Sequence, residues 1–371
     1  MRFPEFSGEW ELKSIEHIAP LQRGFDLPKQ NINPGCVPIV YSNGILGTHS
    51  EGKCIGPGVV TGRSGTIGKL TYVESGPYWP HNTSLWVTNF YGNHEKFVYY
   101  LYQHIGIEQY ASGSGVPTLN RNDVHRHIAA VPCIDEQRKI ASMLSLIDEL
   151  IAVQSKIIEE LKTLRDALNE SLYCCCESYQ ELSFNDVGVS YSGLSGKSGN
   201  DFGSGYPFIP YTNIFTNNII DEGQLEYVQV REDESQNSVC FGDLLMTLSS
   251  ETPEEVGIGA VYLGHESPLY LNSFAFGIHI TRTDLVYPPY LSWLVSTKSF
   301  RKFILPYAQG STRYNLQKTD FMKAKYRFPT LGRQKAISVL LSGYSSKIEN
   351  EERVLNKYTA LKQGLIEQLF I

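Results

Sequence analysis

The sequence predicts an α+β chain of two mixed α/β globules, each followed by one long helix, with the second half of the molecule repeating the first. Three observations predict this. The segment beginning Gly113-Ser114-Gly115-Val116-Pro117-Thr118-Leu119 returns as Gly310-Ser311-Thr312-Arg313-Tyr314-Asn315-Leu316, and the offset of 197 residues then runs without a gap to Ile371. Apolar residues recur at a helical 4-3 spacing through 135–173 and again after Pro329. The stretches before the helices are rich in Gly, Asn, Ser, Thr, Tyr and β-branched residues, with short apolar runs and frequent turn signals. A period of about half the chain means two copies of a whole unit rather than a solenoid of short repeats.

The expected order is a first globule over 1–134, a first long helix within 135–180, a second globule over 181–330 and a second long helix over 331–371. In the first globule, Pro38-Ile39-Val40-Tyr41-Ser42-Asn43 resembles Pro207-Phe208-Ile209-Pro210-Tyr211-Thr212-Asn213 of the second. Gly58-Val59-Val60-Thr61 likewise resembles Gly242-Asp243-Leu244-Leu245-Met246-Thr247, and Ile67-Gly68 resembles Ile258-Gly259. Strand-like Ser84–Val87 and Phe274–Ile278 follow, and then an aromatic-rich helix in each globule, around 97–101 and 290–294. Asp135 suits an N-cap for the first long helix, whose stripe is Ile140, Leu144, Ile147, Ile151, Ile158, Leu161, Leu168 and Leu172. At ~1.5 Å per residue that helix is on the order of 58 Å long, more than a globular core needs. The second stripe is Ile337, Leu341, Tyr344, Ile348, Leu355, Tyr358, Leu365 and Leu369. Both stripes are interrupted at matching places, Gln154 with Glu351 and Arg165 with Lys362. Polar residues at such positions cost stability and fix register, and Arg165 and Glu351 have opposite signs suited to pairing between antiparallel helices.

Composition narrows the function. A length of 371 residues allows two or three domains, and 23 Tyr with 17 Phe belong to a folded chain. No run approaches the ~20 apolar residues of a membrane span, and Met1-Arg2-Phe3-Pro4-Glu5-Phe6 has no apolar signal core. The expected compartment is the cytoplasm. The seven cysteines, without a C-x-x-C pair, read as reduced thiols. A net charge of −7 provides no basic arm, so any contact with nucleic acid rests on local patches.

No catalytic constellation assembles. Gly62-Arg63-Ser64-Gly65-Thr66-Ile67-Gly68-Lys69-Leu70 fails as a phosphate loop, because its glycine spacing is one residue too long and Leu70 replaces the magnesium-binding hydroxyl. Gly196-Lys197-Ser198 lacks the upstream glycine, since Tyr191 stands there. There is no G-x-S-x-G elbow, no H-E-x-x-H helix and no zinc-deaminase set. His125 and His127 fall on one strand face without a third ligand nearby, so no metal and no cofactor are expected. The chain reads as a binder.

The candidate contacts are polar loops. Arg63, Ser64, Thr66 and Lys69 on the glycine-rich turn offer donors for a DNA backbone or a base edge, with Tyr41, Asn43 and Asn82 beside them. Ser114, Thr118, Asn120 and Arg121 lead into the first repeat copy, and Ser311, Thr312, Arg313, Tyr314, Asn315 and Lys318 lead into the second. Tyr211, Asn213, Ser249 and Ser250 are the second-globule counterparts of the first group. The plain structural alternative for each loop is a tight turn joining globule to helix. Two rival functions stand beside DNA reading. One is a non-DNA scaffold whose helix pair presents two ligand-binding globules. The other is nucleotide hydrolysis at the Gly62–Lys69 loop.

The pattern resembles the specificity subunit of type I restriction-modification systems over nearly the whole chain. The resemblance rests on Trp10 with Leu12, on Arg63, Gly65, Ile67 and Gly68 in the turn, and on Gly113, Ser114, Leu119 and Asp123 in the loop. It rests further on Pro132, Glu136, Gln137 and Ile140 opening the helix, repeated at Pro329, Gln334 and Ile337 with Gly332-Arg333 in place of Asp135-Glu136. The resemblance implies two target-recognition domains separated by two long antiparallel, coiled-coil-like helices with a pseudo-twofold repeat. It implies double-stranded DNA with a bipartite site as ligand, docking of two methyltransferase (modification) subunits, and association with restriction/translocase subunits. Catalysis would belong to those partners, and the chain has neither an Asn-Pro-Pro-Tyr/Phe methyltransferase motif nor a helicase loop.

Overall fold

The computed structural model describes residues 2–113, 117–176 and 178–370. The fold is α+β, and the chain divides into two compact units, residues 1–156 with 352–371 and residues 157–351. Each unit contains one globule and portions of both long helices.

In unit 1 a six-stranded sheet runs in the order Leu21–Arg23, Ser84–Val87, Cys54–Gly62, Leu70–Pro80, Val37–Tyr41, Gly44–His49. Its pairs are antiparallel except that Val37–Tyr41 runs parallel to the Leu70–Pro80 strand. Helix Glu95–Ile105 buries Phe97, Val98, Tyr100, Leu101, Tyr102 and Ile105. These residues share one core with Ile140, Ala141, Leu144 and Ile147 of the first long helix and with Leu365, Ile366, Leu369 and Phe370 at the end of the chain. The 4-3 spacing thus turns one apolar face of each long helix onto the globule.

In unit 2 the central sheet orders as Gly188–Ser192, Ala275–Ile280, Leu244–Thr247, Gly259–Val261, all antiparallel. Glu226–Val228, Phe202–Ile209 and Tyr270–Leu271 form a second sheet, and Ser249–Ser250, Tyr314–Leu316 and Ala308–Gly310 a third. Helices Pro288–Leu294 and Lys298–Ile304 close the core, which takes in Tyr173 from the first long helix and Ile337 and Leu341 from the second.

The long helices span Ile134–Cys174 and Leu331–Leu369. The first begins one residue before Asp135, so Asp135 is not its cap. It sits in the first turn, where its charge suits the helix dipole, and pairs with Arg138 at 3.0 Å. The neighbouring Glu136 is buried and takes both ends of the Arg2 guanidinium at 2.9 and 2.8 Å. Arg165 and Lys362, the two cationic interruptions, each stand over an aromatic ring of a globule. Arg165 lies 5.9 Å from the Trp293 ring centre and pairs with Asp166. Lys362 lies 5.5 Å from the Tyr100 ring centre and 2.7 Å from Asp148. Among the described residues no helix is long and apolar enough to cross a membrane.

Candidate nucleic-acid interface

In unit 1 strand Cys54–Gly62 ends in the glycine-rich turn. Gly62 has no room for a side chain, because a Cβ there would run into the Thr66 and Ser42 carbonyl oxygens. The Arg63 and Ser64 amides both donate to the Thr83 carbonyl, at 2.9 and 3.2 Å. The Arg63 carbonyl accepts from the Leu119 amide at 2.8 Å, and Ser64 pairs antiparallel with Thr118. The turn is therefore joined through its backbone to the loop that leads into the repeat. Around it stand Asn82, whose carbonyl accepts from Arg63 at 3.5 Å and whose amide donates to Asp26, and Tyr41, whose ring lies tilted 4.3 Å from that of His81. Asn43 lies exposed in the hairpin between Tyr41 and Gly44, and Lys69 reaches that same hairpin at Gly44. Thr66 is exposed on the turn itself.

Unit 2 repeats the construction. The Leu248 carbonyl accepts from the Leu316 amide at 2.8 Å, and Ser249 and Ser250 pair antiparallel with Asn315 and Tyr314. Tyr211 donates its hydroxyl to the Ser249 carbonyl at 3.0 Å, and Arg313 donates to Ser249 Oγ at 3.0 Å. The Arg313 guanidinium lies 5.4 Å from the Phe274 ring centre. Ser250 Oγ donates to Glu255 at 2.8 Å. Tyr211, Ser249, Ser250, Glu255, Phe274 and Arg313, with Phe215, Glu251 and Thr312, line one cavity of about 750 Å³. Ser311 is exposed beside it.

Other candidates fall elsewhere. Asn213 is 0% exposed and is withdrawn as a DNA contact. Its amide donates to the Asp221 carbonyl at 2.9 Å and its oxygen accepts from the Asp221 amide at 3.1 Å, so it closes an internal loop. The likeness to Asn43 ends at the strand, because 211–216 winds into a helix where Asn43 sits in a turn. Asn120 caps the helix Arg121–His125 by accepting from the Asn122 amide, which leaves Arg121 exposed at that helix start. Lys318 folds over the Phe276 ring at 5.0 Å, where burial lowers its pKa. Ser114 lies outside the described residues.

The two histidines weighed as a metal pair have separate tasks. His125 Nε2 accepts from the Leu21 amide at 2.8 Å, and His127 bonds the Tyr110 hydroxyl at 2.7 Å. A Cys240, Asp243 and His279 cluster was not anticipated. Its buried Asp243 accepts from the Tyr191 hydroxyl, the Cys240 amide and His279 Nδ1 at 2.6, 2.9 and 2.7 Å, and so acts as a clamp between strands. Sequence reasoning also missed Phe215, Phe274, Glu251 and Glu255. The signal for the two carboxylates was legible, since the Ser249–Glu255 stretch stands where the first globule has its glycine turn.

Residues 7–163 match the family model described as type I restriction modification DNA specificity domain. The S subunit of a type I restriction-modification system from M. genitalium shares the fold, at a TM-score of 0.59 and 16% identity, with 100% of this chain and 99% of that one covered. A chain from the structural work on complex assembly and conformational transition of the type I R-M system matches at a TM-score of 0.60 and 12% identity, covering 98% of each. None of the curated proteins matches the sequence. Residues 7–163 thus resemble a type I restriction modification DNA specificity domain, and the chain shares its fold end to end with a solved S subunit.

Proposed function

We propose that this chain selects the DNA target of a type I restriction-modification complex, with unit 1 reading one half of a bipartite duplex site and unit 2 the other. The observation that carries this reading is the shared construction of the two polar surfaces. In each unit a strand end is paired with the loop leading into the repeat, Arg63–Ser64 with Thr118–Leu119 and Leu248–Ser250 with Tyr314–Leu316. The side chains differ while the frame is kept, as expected of two readers with different texts. Contacts to phosphate position such a reader and contacts to base edges specify it. Two half-sites on one frame multiply their selectivity, because the second contact becomes intramolecular.

On this reading the two target-recognition domains are held apart by the antiparallel long helices, which set the unspecified gap and dock two methyltransferase subunits. Restriction/translocase subunits join through them, and the complex works in the cytoplasm. Exposed Leu146, Leu150 and Val153, spaced four and three residues apart along one helix face, support a docking role. The chain itself needs no cofactor on this reading. The net charge of −7 supports a division of labour in which partners supply much of the attraction to DNA.

Base-resolution methylation mapping tests the proposal. DNA from cells carrying the cognate methyltransferase with this chain should show a split motif that is missing without the chain. An active methyltransferase that gains no new motif from this chain would refute it.

A further inference from the structure

We propose that the unit 2 cavity reads a G·C base pair, with Arg313 on the guanine and Glu255 on the cytosine. This inference rests on the DNA-reading function proposed above and names the text read at one place.

The guanidinium of Arg313 is held from two directions. Its central carbon lies 5.4 Å from the Phe274 ring centre, and one nitrogen donates to Ser249 Oγ at 3.0 Å. Ser249 is itself buried in a strand whose carbonyl accepts from Tyr211. An arginine has five N–H donors, so one bond to Ser249 leaves donors for a ligand. Because these two contacts already hold the side chain, less of its freedom is lost when those donors bind. Arg313 itself is exposed and lines the cavity.

Charge decides what the ligand is. Glu251 and Glu255 line the same cavity, and Ser250 orients Glu255 by donating to it at 2.8 Å. Two carboxylates beside one arginine repel a phosphate, so the cavity does not suit the DNA backbone. A base-pair edge carries no such charge. In the major groove only guanine presents two acceptors side by side, N7 and O6, which match the donor-only arginine fork. Its partner cytosine presents the N4 amino donor, which matches an acceptor-only carboxylate. Adenine offers an acceptor next to a donor and thymine a single acceptor with a methyl group, so neither fits the fork. Donor and acceptor stand on neighbouring residues of one strand, Ser249 holding the arginine and Ser250 the glutamate.

The test uses the complete complex of this chain with its methyltransferase, assayed by methylation rates on a library of target duplexes. With the native chain, one half-site should contain a G·C pair. Arg313→Gln should lower discrimination at that pair by roughly 5- to 150-fold, the span of a bidentate base contact, and leave the other half-site unchanged. Arg313→Lys keeps the charge without the fork and should also lose discrimination, and it serves if the glutamine variant fails to assemble. Glu255→Gln should relax the same pair. Either arginine variant keeping the full motif would overturn the proposal. So would uniformly slower methylation of every sequence with a shallower salt dependence, the signature of a phosphate contact. A native complex with no split motif would instead defeat the proposed function, so the two failures are distinguishable.

Discussion

Gln137 and Gln334, one at the start of each long helix, form the same three-bond clasp. Gln137 accepts from the His94 amide at 2.9 Å and donates to the Pro132 carbonyl at 2.9 Å and to Asn93 Oδ1 at 3.0 Å. Gln334 accepts from the Tyr287 amide at 2.8 Å and donates to the Pro329 and Leu285 carbonyls at 2.8 and 3.0 Å. Both are buried, at 3% and 0% exposure. His94 and Tyr287 are the residues that precede the aromatic-rich helices Glu95–Ile105 and Pro288–Leu294. In each unit the long helix is thereby pinned to the helix that fills the core.

Removing the clasp should therefore loosen the unit that contains it. Gln137→Ala or Gln334→Ala leaves a partly buried backbone N–H without its acceptor, at a cost of up to about 1–3 kcal/mol for the orphaned group. Urea denaturation should show that loss, and amide exchange at His94 or Tyr287 should quicken only in the altered unit. Unchanged exchange at those amides would show that the clasp is dispensable.

The cationic interruptions of the two stripes should stabilise rather than weaken the molecule. Lys362 stands over Tyr100 and beside Asp148, which also accepts from the Tyr100 hydroxyl at 2.6 Å. Lys362→Ala should cost about 1–2 kcal/mol, since a partly desolvated cation over a ring is worth ~0.5–2 kcal/mol. Arg165→Ala should cost less, because its partner Asp166 is solvent-exposed. Equilibrium unfolding of both variants checks the order, and an apolar replacement of Lys362 that raises stability would contradict it.

Unit 1 should lose stability on mild acidification. Burial is the largest influence on His81, His94, His104 and His125 and lowers each pKa from the ordinary 6.5. Ring nitrogens of three of them accept backbone amides, from Thr83, Phe97 and Leu21. With the folded pKa below the unfolded one, the unfolded chain binds protons first, so the stability is complete above about pH 6.5 and falls as the pH drops toward the lowered folded values. Melting temperatures across that window should decline, and His125→Gln should flatten the decline. A flat profile in the native chain would exclude the linkage.

Helix length should set the unspecified gap, if the long helices act as the spacer. Matched seven-residue insertions in both helices keep the apolar faces nearly in phase and add ~10 Å at ~1.5 Å per residue. That is about three base-pair steps at ~3.4 Å each. Methylation mapping should then show both half-sites unchanged and the gap widened. An unaltered gap would rule the spacer role out.

The sequence by itself determined the α+β class, the duplication and the existence and approximate bounds of the two long helices. Those features are local or repetitive. Apolar residues at 4-3 spacing specify a helix face wherever they occur, and a constant offset of 197 residues is visible without any fold. Only the tertiary structure decided which polar residues share a surface. Asn43 and Asn213 belong to look-alike motifs, yet one is exposed in a turn and the other buried in its own loop closure. Ser249 and Arg313 lie 64 residues apart and meet because two strands pair between them. The two cationic breaks in the helix stripes found their meaning in rings contributed by the globules. The physical reason is that burial and strand pairing are long-range properties, set by what packs on the other side of a residue rather than by its neighbours in the chain.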